Sequence, residues 1–119
     1  MATVRTGEDH QAKIMIAVGK GAKNSLNEIK HFAEMIGAEV VATRGAVDSD
    51  IMPYPAQVGL TGRCVSPSVY IAVGVSGAVH HIVGMKNSGT VIAINTDKNA
   101  PIFDYADFGI VASADDIMN

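Results

Sequence analysis

The sequence predicts an α/β protein, a single three-layer α/β/α domain on a mainly parallel sheet. Three observations carry that prediction. Apolar runs of strand length recur along the chain, each run is apolar at successive positions rather than at alternate ones, and glycine turns or helix-patterned segments separate them. Strands that are apolar on both faces and alternate with helices belong to parallel sheets covered on each side.

Residues 1–12 read as a polar leader and residues 13–119 as the domain. Ile14-Met-Ile-Ala-Val18 is the first strand, and it stops at the turn Gly19-Lys20-Gly21. Asn24 or Ser25 is placed to cap a helix in which Leu26, Ile29, Ala33 and Ile36 recur at helical spacing until Gly37 ends the pattern. Glu39-Val-Val-Ala-Thr43 reads as the second strand. From Met52 to Ser68, three of the chain's 4 prolines together with Gly59 and Gly62 predict a long irregular connection, a kind of loop that often carries function.

Val69-Tyr-Ile-Ala-Val73 is the third strand, and Gly74-Val-Ser-Gly77 leads from it into a short helix over Ala78 to Met85. Thr90-Val-Ile-Ala-Ile94 is the fourth strand and ends at Asn95. Pro101 to Ala106 bridges, as a turn or short helix, to a fifth strand, Phe108-Gly-Ile-Val-Ala112. Asp115-Asp-Ile-Met-Asn119 reads as the opening turn of a C-terminal helix that is cut short.

Composition narrows the function classes. At 119 residues the chain suits one core, and 48% hydrophobic with 18% charged residues is enough apolar matter to fill it. A formal charge of -3 with no basic cluster offers nucleic-acid phosphates nothing to hold. Cys64 is the single cysteine, which excludes an intramolecular disulfide and a zinc knuckle and fits a reducing compartment. The polar start resembles neither a signal peptide nor a transit peptide, and no apolar stretch reaches the roughly 18 residues of a membrane helix. The expectation is a soluble, intracellular protein without membrane insertion.

In parallel α/β sheets ligands sit beyond the carboxyl ends of the strands. The candidate rim is therefore Gly19 to Gly21, Thr43 and Arg44, Ser76 to His81, and Asn95 to Asp97. Gly74 and Gly77 let the backbone turn tightly, and Ser76 with the first amides of the following helix offers donors to a diphosphate. Short glycine turns after strands are equally explained by chain reversal alone, and G-x-G-x-x-G is not met, because Asn24 stands at its third glycine.

Arg44 follows a buried strand directly, which places a fixed cation at the rim; spacing alone favours a surface pair with Asp48. His80 and His81 diverge by about 100° on a helix, so both cannot serve one site. No third His or Cys stands at ligand spacing, and no metal is expected. Cys64 reads as a small loop or core residue. Asp48, Asp50, Asp97, Asp104 and Asp107 suit turns and caps better than acid/base work. This is the inventory of a domain that binds a nucleotide-like ligand.

Beyond these single features, Arg44-Gly-Ala-Val-Asp48, Gln57-Val-Gly-Leu-Thr-Gly62 and Val69-Tyr-Ile-Ala-Val-Gly-Val-Ser-Gly-Ala-Val-His-His81 closely resemble the C-terminal domain of the electron-transfer flavoprotein alpha subunit. Gly84-Met-Lys86, Val91-Ile-Ala-Ile-Asn95, Ala100-Pro-Ile-Phe103 and Ala106-Asp107 follow in the same order and spacing, so the resemblance covers nearly everything from Ile14 onward. It implies a Rossmann-like, DHS-like NAD/FAD-binding fold, with FAD extended across the sheet.

The resemblance also implies site roles. Arg44 would lie over the flavin ring, where its permanent charge favours the one-electron-reduced anion. Thr61 would hydrogen-bond near the reactive ring nitrogen, and His81 would face the pyrimidine carbonyl that gains charge on reduction. Ser76, Gly77 and Ala78 would hold the diphosphate side, with Asn95 reaching the nucleotide. Lys20, Thr43, Val58, Gly59, Leu60, Val79, His80 and the Ser113-Ala114 pair match further contact positions. Lys20 replaces the family's usual arginine, and Leu60 and His80 replace its usual glutamines.

As function the resemblance implies an electron carrier rather than an enzyme with its own substrate. It would accept electrons from flavin dehydrogenases such as the acyl-CoA dehydrogenases of fatty acid beta-oxidation and pass them to a partner oxidoreductase. An N-terminal alpha domain and a beta subunit would complete the assembly, in a bacterial cytoplasm or a mitochondrial matrix. A second reading is a structural nucleotide-fold domain like the middle domain of thiamine-diphosphate enzymes, with no cofactor. It shares the Ile94-Asn-Thr-Asp97 and Ala106-Asp107 pattern but lacks the Arg44 and Ser76 to His81 runs. A third, a small hydrolase using Ser76 or Cys64, lacks an oriented base.

Overall fold

Five apolar runs become five parallel strands: β1 (Ile14–Val18), β2 (Glu39–Ala42), β3 (Val69–Val73), β4 (Thr90–Asn95) and β5 (Phe108–Val111). Their order across the sheet is β2-β1-β3-β4-β5, and each neighbouring pair is parallel. The helices α1 (Leu26–Ile36), α2 (Arg44–Asp48) and α3 (Val79–Met85) accompany them. The computed structural model describes residues 13–60, 62–114 and 116; the expected leader over 1–12 and most of the expected final helix turn lie outside them.

Side-chain alternation divides the interior into two cores. Met15, Ala17, Val41, Tyr70, Ala72, Val91 and Ala93 face one side, where Ile82 and Met85 of α3 meet them with Val58, Val65 and Ile102. Ile16, Val18, Ala42, Val73 and Ile94 face the other, against Ile29 and Ala33 of α1 and Ala46 of α2. Strand register lines Ala17 up with Ala72, and Ala72 with Ala93. This row of small side chains lets the flanking layer approach the sheet closely.

Helix α1 forms where the periodicity places it and ends at Gly37, whose φ of 72° is the left-handed conformation that a glycine adopts without a Cβ penalty. Two expectations differ from the structure. Gly19-Lys20-Gly21 is not a simple turn, because Lys20–Ser25 forms a 3-10 helix that buries Ala22 and Ser25. The second strand stops at Ala42 rather than Thr43, because Thr43 caps α2, which Arg44 opens, by accepting a hydrogen bond from the Ala46 amide at 3.1 Å.

The expected cover stands on both faces of the sheet, with α3 on one and α1 and α2 on the other. Helices α1 and α2 pack over the β1 and β2 half, and beside α1 an apolar groove runs along Ile71, Ile92 and Ile94, walled by Phe32 and Met35. Strand β5 is exposed along its length, with Phe108, Ile110 and Val111 all open. Among the described residues, no helix is long and apolar enough to cross a membrane.

Candidate functional site

Strand order alone singles out one edge. In a 2-1-3-4-5 sheet the connections leaving β1 and β3 part to opposite sides, opening a crevice at the carboxyl ends of these two strands. A cavity of about 690 Å³ lies there, within the range of roughly 300 to 1,000 Å³ that small-molecule and cofactor pockets occupy.

Its floor is made of glycine. The Gly19 amide donates to the Val73 carbonyl at 3.0 Å and the Gly21 amide to the Gly74 carbonyl at 3.3 Å. A Cβ on Gly74, whose φ is 66°, would stand 2.5 Å from the Ala22 nitrogen. Gly77, at φ 92°, is pressed against the backbone of Ile102 in the same way. Close backbone approach is therefore the reason for these glycines, over and above chain reversal.

Around this floor the structure gathers most of the residues that the sequence singles out. Lys20 comes from the segment after β1, Thr43 and Arg44 from the start of α2, and Asn95 from the end of β4. Ser76, Gly77, Ala78, Val79, His80 and His81 line the side formed by the β3–α3 turn and α3, and Val58, Gly59 and Leu60 add a rim beside α3. Thr61 lies outside the described residues. Ser113 and Ala114 stand apart from the cavity: the Ser113 hydroxyl accepts the Asp116 amide, and Ala114 is buried in the core beside α1.

Sequence reasoning left Gln57 and Gly45 out of the site, and both line it. Gln57 is buried and forms a bridge with Ala42, which brings the long connection back to the end of β2. The signal for it in the sequence is its place at the head of the run Gln57-Val-Gly-Leu-Thr-Gly62. Gly45 leaves room for the Lys20 stem, whose carbons would lie 3.5 to 3.6 Å from a Cβ there.

The charge of the lining opposes that of the chain. Lys20 and Arg44 both line the cavity, and no Asp or Glu stands among the described lining residues, although the whole chain carries a net charge of -3. Arg44 also forms the pair with Asp48 that spacing suggested, Nε to Oδ2 at 3.4 Å, with both side chains largely exposed. Such a pair contributes little and leaves the guanidinium free to turn to a ligand.

His81 lies deeper than the rest. Its Nδ1 is 3.1 Å from the Val58 carbonyl oxygen, and its Nε2 is 2.9 Å from the Tyr70 hydroxyl. A carbonyl only accepts, so Nδ1 carries the proton and Nε2 accepts from Tyr70. Burial lowers the imidazole pKa, against a smaller upward pull from the Val58 hydrogen bond, and the ring is held neutral. Both nitrogens thus have partners within the protein. Asn95 is engaged similarly: its Nδ2 donates to the Val75 carbonyl at 2.9 Å, and its Oδ1 accepts the Asp97 amide at 2.8 Å. This side chain braces the ends of β3 and β4 at the cavity wall.

Two of the candidate carboxylates accept backbone amides. Asp107 accepts the Val91 amide at 2.8 Å, and Asp97 accepts the Asn99 amide at 2.9 Å. Cys64 is an exposed loop residue outside the cavity lining. Among the described residues, no group of three His, Cys, Asp or Glu is placed to hold a metal ion.

A glycine-floored, cationic crevice at the switch point of a parallel sheet is a site for an anionic, nucleotide-sized ligand. Comparison with known proteins agrees: residues 10–86 match the electron transfer flavoprotein FAD-binding domain. The chain belongs to the electron transfer flavoprotein alpha family. It is 44% identical over 110 residues to the electron transfer flavoprotein subunit alpha of Bacillus subtilis strain 168, covering 91% of this chain and 34% of that protein. The Pseudomonas aeruginosa PAO1 subunit alpha is 48% identical over 109 residues, covering 90% and 35%. The mitochondrial subunit alpha of Oryza sativa subsp. indica is 44% identical over 110 residues, covering 91% and 31%. The chain therefore spans about a third of the length of these relatives. Membership in this electron transfer flavoprotein family displaces the thiamine-diphosphate and hydrolase readings.

Proposed function

We propose that the crevice holds FAD and that the domain serves as an electron carrier. The observation that carries this is the cationic, carboxylate-free lining over a glycine floor, in a chain whose family is described as FAD-binding. The residues present fit the group. Gly74 and Gly77 admit close backbone approach, Ser76 and the first amides of α3 offer donors to a diphosphate, and Lys20 and Arg44 supply opposing charge.

When bound, FAD supplies the redox chemistry. The chain's part is to bind, orient and bias. Arg44 holds a permanent cation at the mouth of the crevice and favours negative charge there. Val58, Leu60 and Val79 give it apolar walls that limit water. Neutral His81 sets the rim from behind without taking up a proton. The chemistry needs no general acid/base pair from the protein, in keeping with the engagement of Asp97 and Asp107 by backbone amides.

Electrons would come from flavin dehydrogenases such as acyl-CoA dehydrogenases and leave to a partner oxidoreductase, with a beta subunit and an N-terminal alpha domain completing the shield around the cofactor. The test is the visible absorption spectrum of the purified chain before and after incubation with FAD and gel filtration. Flavin bands that travel with the protein are expected. Their absence from this chain, and also from a complex with a beta subunit and N-terminal alpha domain, would refute the reading.

A further inference from the structure

We infer that Tyr70 is a positioning residue for this site: its buried hydroxyl fixes the His81 imidazole in the orientation that pins the Val58 carbonyl, and so holds the rim segment Val58 to Leu60 against α3. Three observations meet here. Tyr70 is fully buried on β3, the central strand of the sheet, with its ring inside the core, and the Nε2 of His81 lies 2.9 Å from its hydroxyl. His81 is itself buried on α3, and its other nitrogen donates to Val58 at 3.1 Å. The rim is joined to α3 beside that link, because the Leu60 amide donates to the His80 carbonyl at 2.8 Å and Gly84 leaves no space between α3 and the Gly59 backbone.

The order of the chain explains why such a link is needed. Val58 to Leu60 belongs to the long connection between β2 and β3, in which the 3-10 helix Tyr54–Ala56 is the only helical structure after α2 among the described residues. Backbone bonds run from Val58 to Ala42 and from Gly59 to Arg63, and the Arg63 guanidinium meets Glu39 at 2.5 Å. These tie the segment to β2 and to itself. The imidazole ties it through α3 to the centre of the sheet, from which the rest of the crevice is built.

An imidazole with a single partner flips or changes tautomer at little cost, whereas one with an acceptor at Nδ1 and a donor at Nε2 has one satisfied orientation. Tyr70 supplies that second partner. Burial raises its phenol pKa, so the hydroxyl keeps the proton it donates.

The test uses the ligand-free 119-residue chain. Amide hydrogen exchange is followed by NMR for Leu60 relative to Ala93 in β4, together with the nitrogen shifts of the His81 ring, in the parent and in Tyr70→Phe. Expected are a single Nδ1–H tautomer in the parent and, in Tyr70→Phe, mixed tautomers with a Leu60 to Ala93 rate ratio raised roughly tenfold. An unchanged ratio, or a common rise at both amides, would overturn the inference, since the hydroxyl would then act on global stability alone. Should Tyr70→Phe fail to fold, His81→Leu and His81→Gln decide the matter. Glutamine keeps a donor for Val58 and an acceptor for Tyr70 and is expected to hold the ratio within about threefold, while leucine raises it roughly tenfold; equal ratios in the two would overturn the inference. The consequence for the cofactor rests on the FAD reading. Flavin retention by the parent chain tests that reading, and its failure would leave the exchange result on Tyr70 standing.

Discussion

Gly19 and Gly74 meet at the carboxyl edge of the sheet so closely that neither has room for a side chain: a Cβ on Gly19 would collide with the Gly74 carbonyl, and one on Gly74 would stand 2.5 Å from the Ala22 nitrogen. This contact joins the turns after β1 and β3 and forms the floor of the crevice. The chain carries a control for it in Gly37, which shares a positive φ with Gly74 but has no atom within 4 Å of its Cβ position.

Substituting alanine should separate the two kinds of glycine. Gly37→Ala pays only the left-handed backbone cost, about 1 kcal/mol, while Gly74→Ala adds a backbone collision and should cost roughly 3 kcal/mol or more. Urea denaturation midpoints read the difference. Equal losses would mean that the floor relaxes freely. Gly74→Ala should also reduce flavin retention, and Gly37→Ala should leave it unchanged.

Stability should depend on pH through the buried pair. His81 is held neutral with its pKa lowered, chiefly by burial, so below about pH 6.5 the unfolded chain takes up a proton that the folded chain refuses. Its contribution to stability is complete above that pH and is lost as pH falls toward the folded value, at up to about 1.4 kcal/mol per pH unit. Tyr70, raised by burial, works in the opposite direction: its contribution is complete below about pH 10 and is lost as pH rises beyond. Denaturation midpoints from pH 5 to 8 should fall on the acid side in the parent chain, and His81→Gln should flatten that slope. An equal slope in both would rule out His81 as its source.

Removal of the Arg44 charge should affect the ligand far more than the fold. Its pair with Asp48 is exposed, so Arg44→Ala should shift stability by no more than about 0.5 kcal/mol. Redox titration of the flavin-loaded protein should show the one-electron-reduced anion at lower yield, since the fixed cation that favours it is gone. An unchanged yield would remove Arg44 from the cofactor's electrostatics.

Lys20 offers the converse experiment. Its stem lies over Gly45 in the cavity lining, and an ammonium there gives point charge without a fork of donors. Lys20→Arg should tighten FAD binding by roughly tenfold, because a guanidinium can bind phosphate oxygens in bidentate fashion. Fluorescence quenching on FAD titration measures it. Weaker binding would show that the space over Gly45 suits lysine alone.

Much of this molecule is legible in one dimension. Strand runs such as Ile14–Val18 and Val69–Val73, the helical spacing of Leu26 to Ile36 and the stop at Gly37 are local signals, because hydrophobic period and backbone freedom act within a few residues. The motifs around Arg44, Val58 and Ser76 likewise identify the family without coordinates. What only the tertiary structure decides is each contact whose partners lie far apart in the chain. Gln57 enters the site because it bridges to Ala42, Asn95 is spent on Val75, and Gly19 is a glycine because of Gly74, 55 residues on. His81 shows the difference most plainly. Its place beside the crevice can be read from the sequence, yet its tautomer and direction are set by Tyr70 on one strand and Val58 in a distant loop. Hydrogen-bond direction depends on where separate elements converge, and no local pattern encodes that convergence.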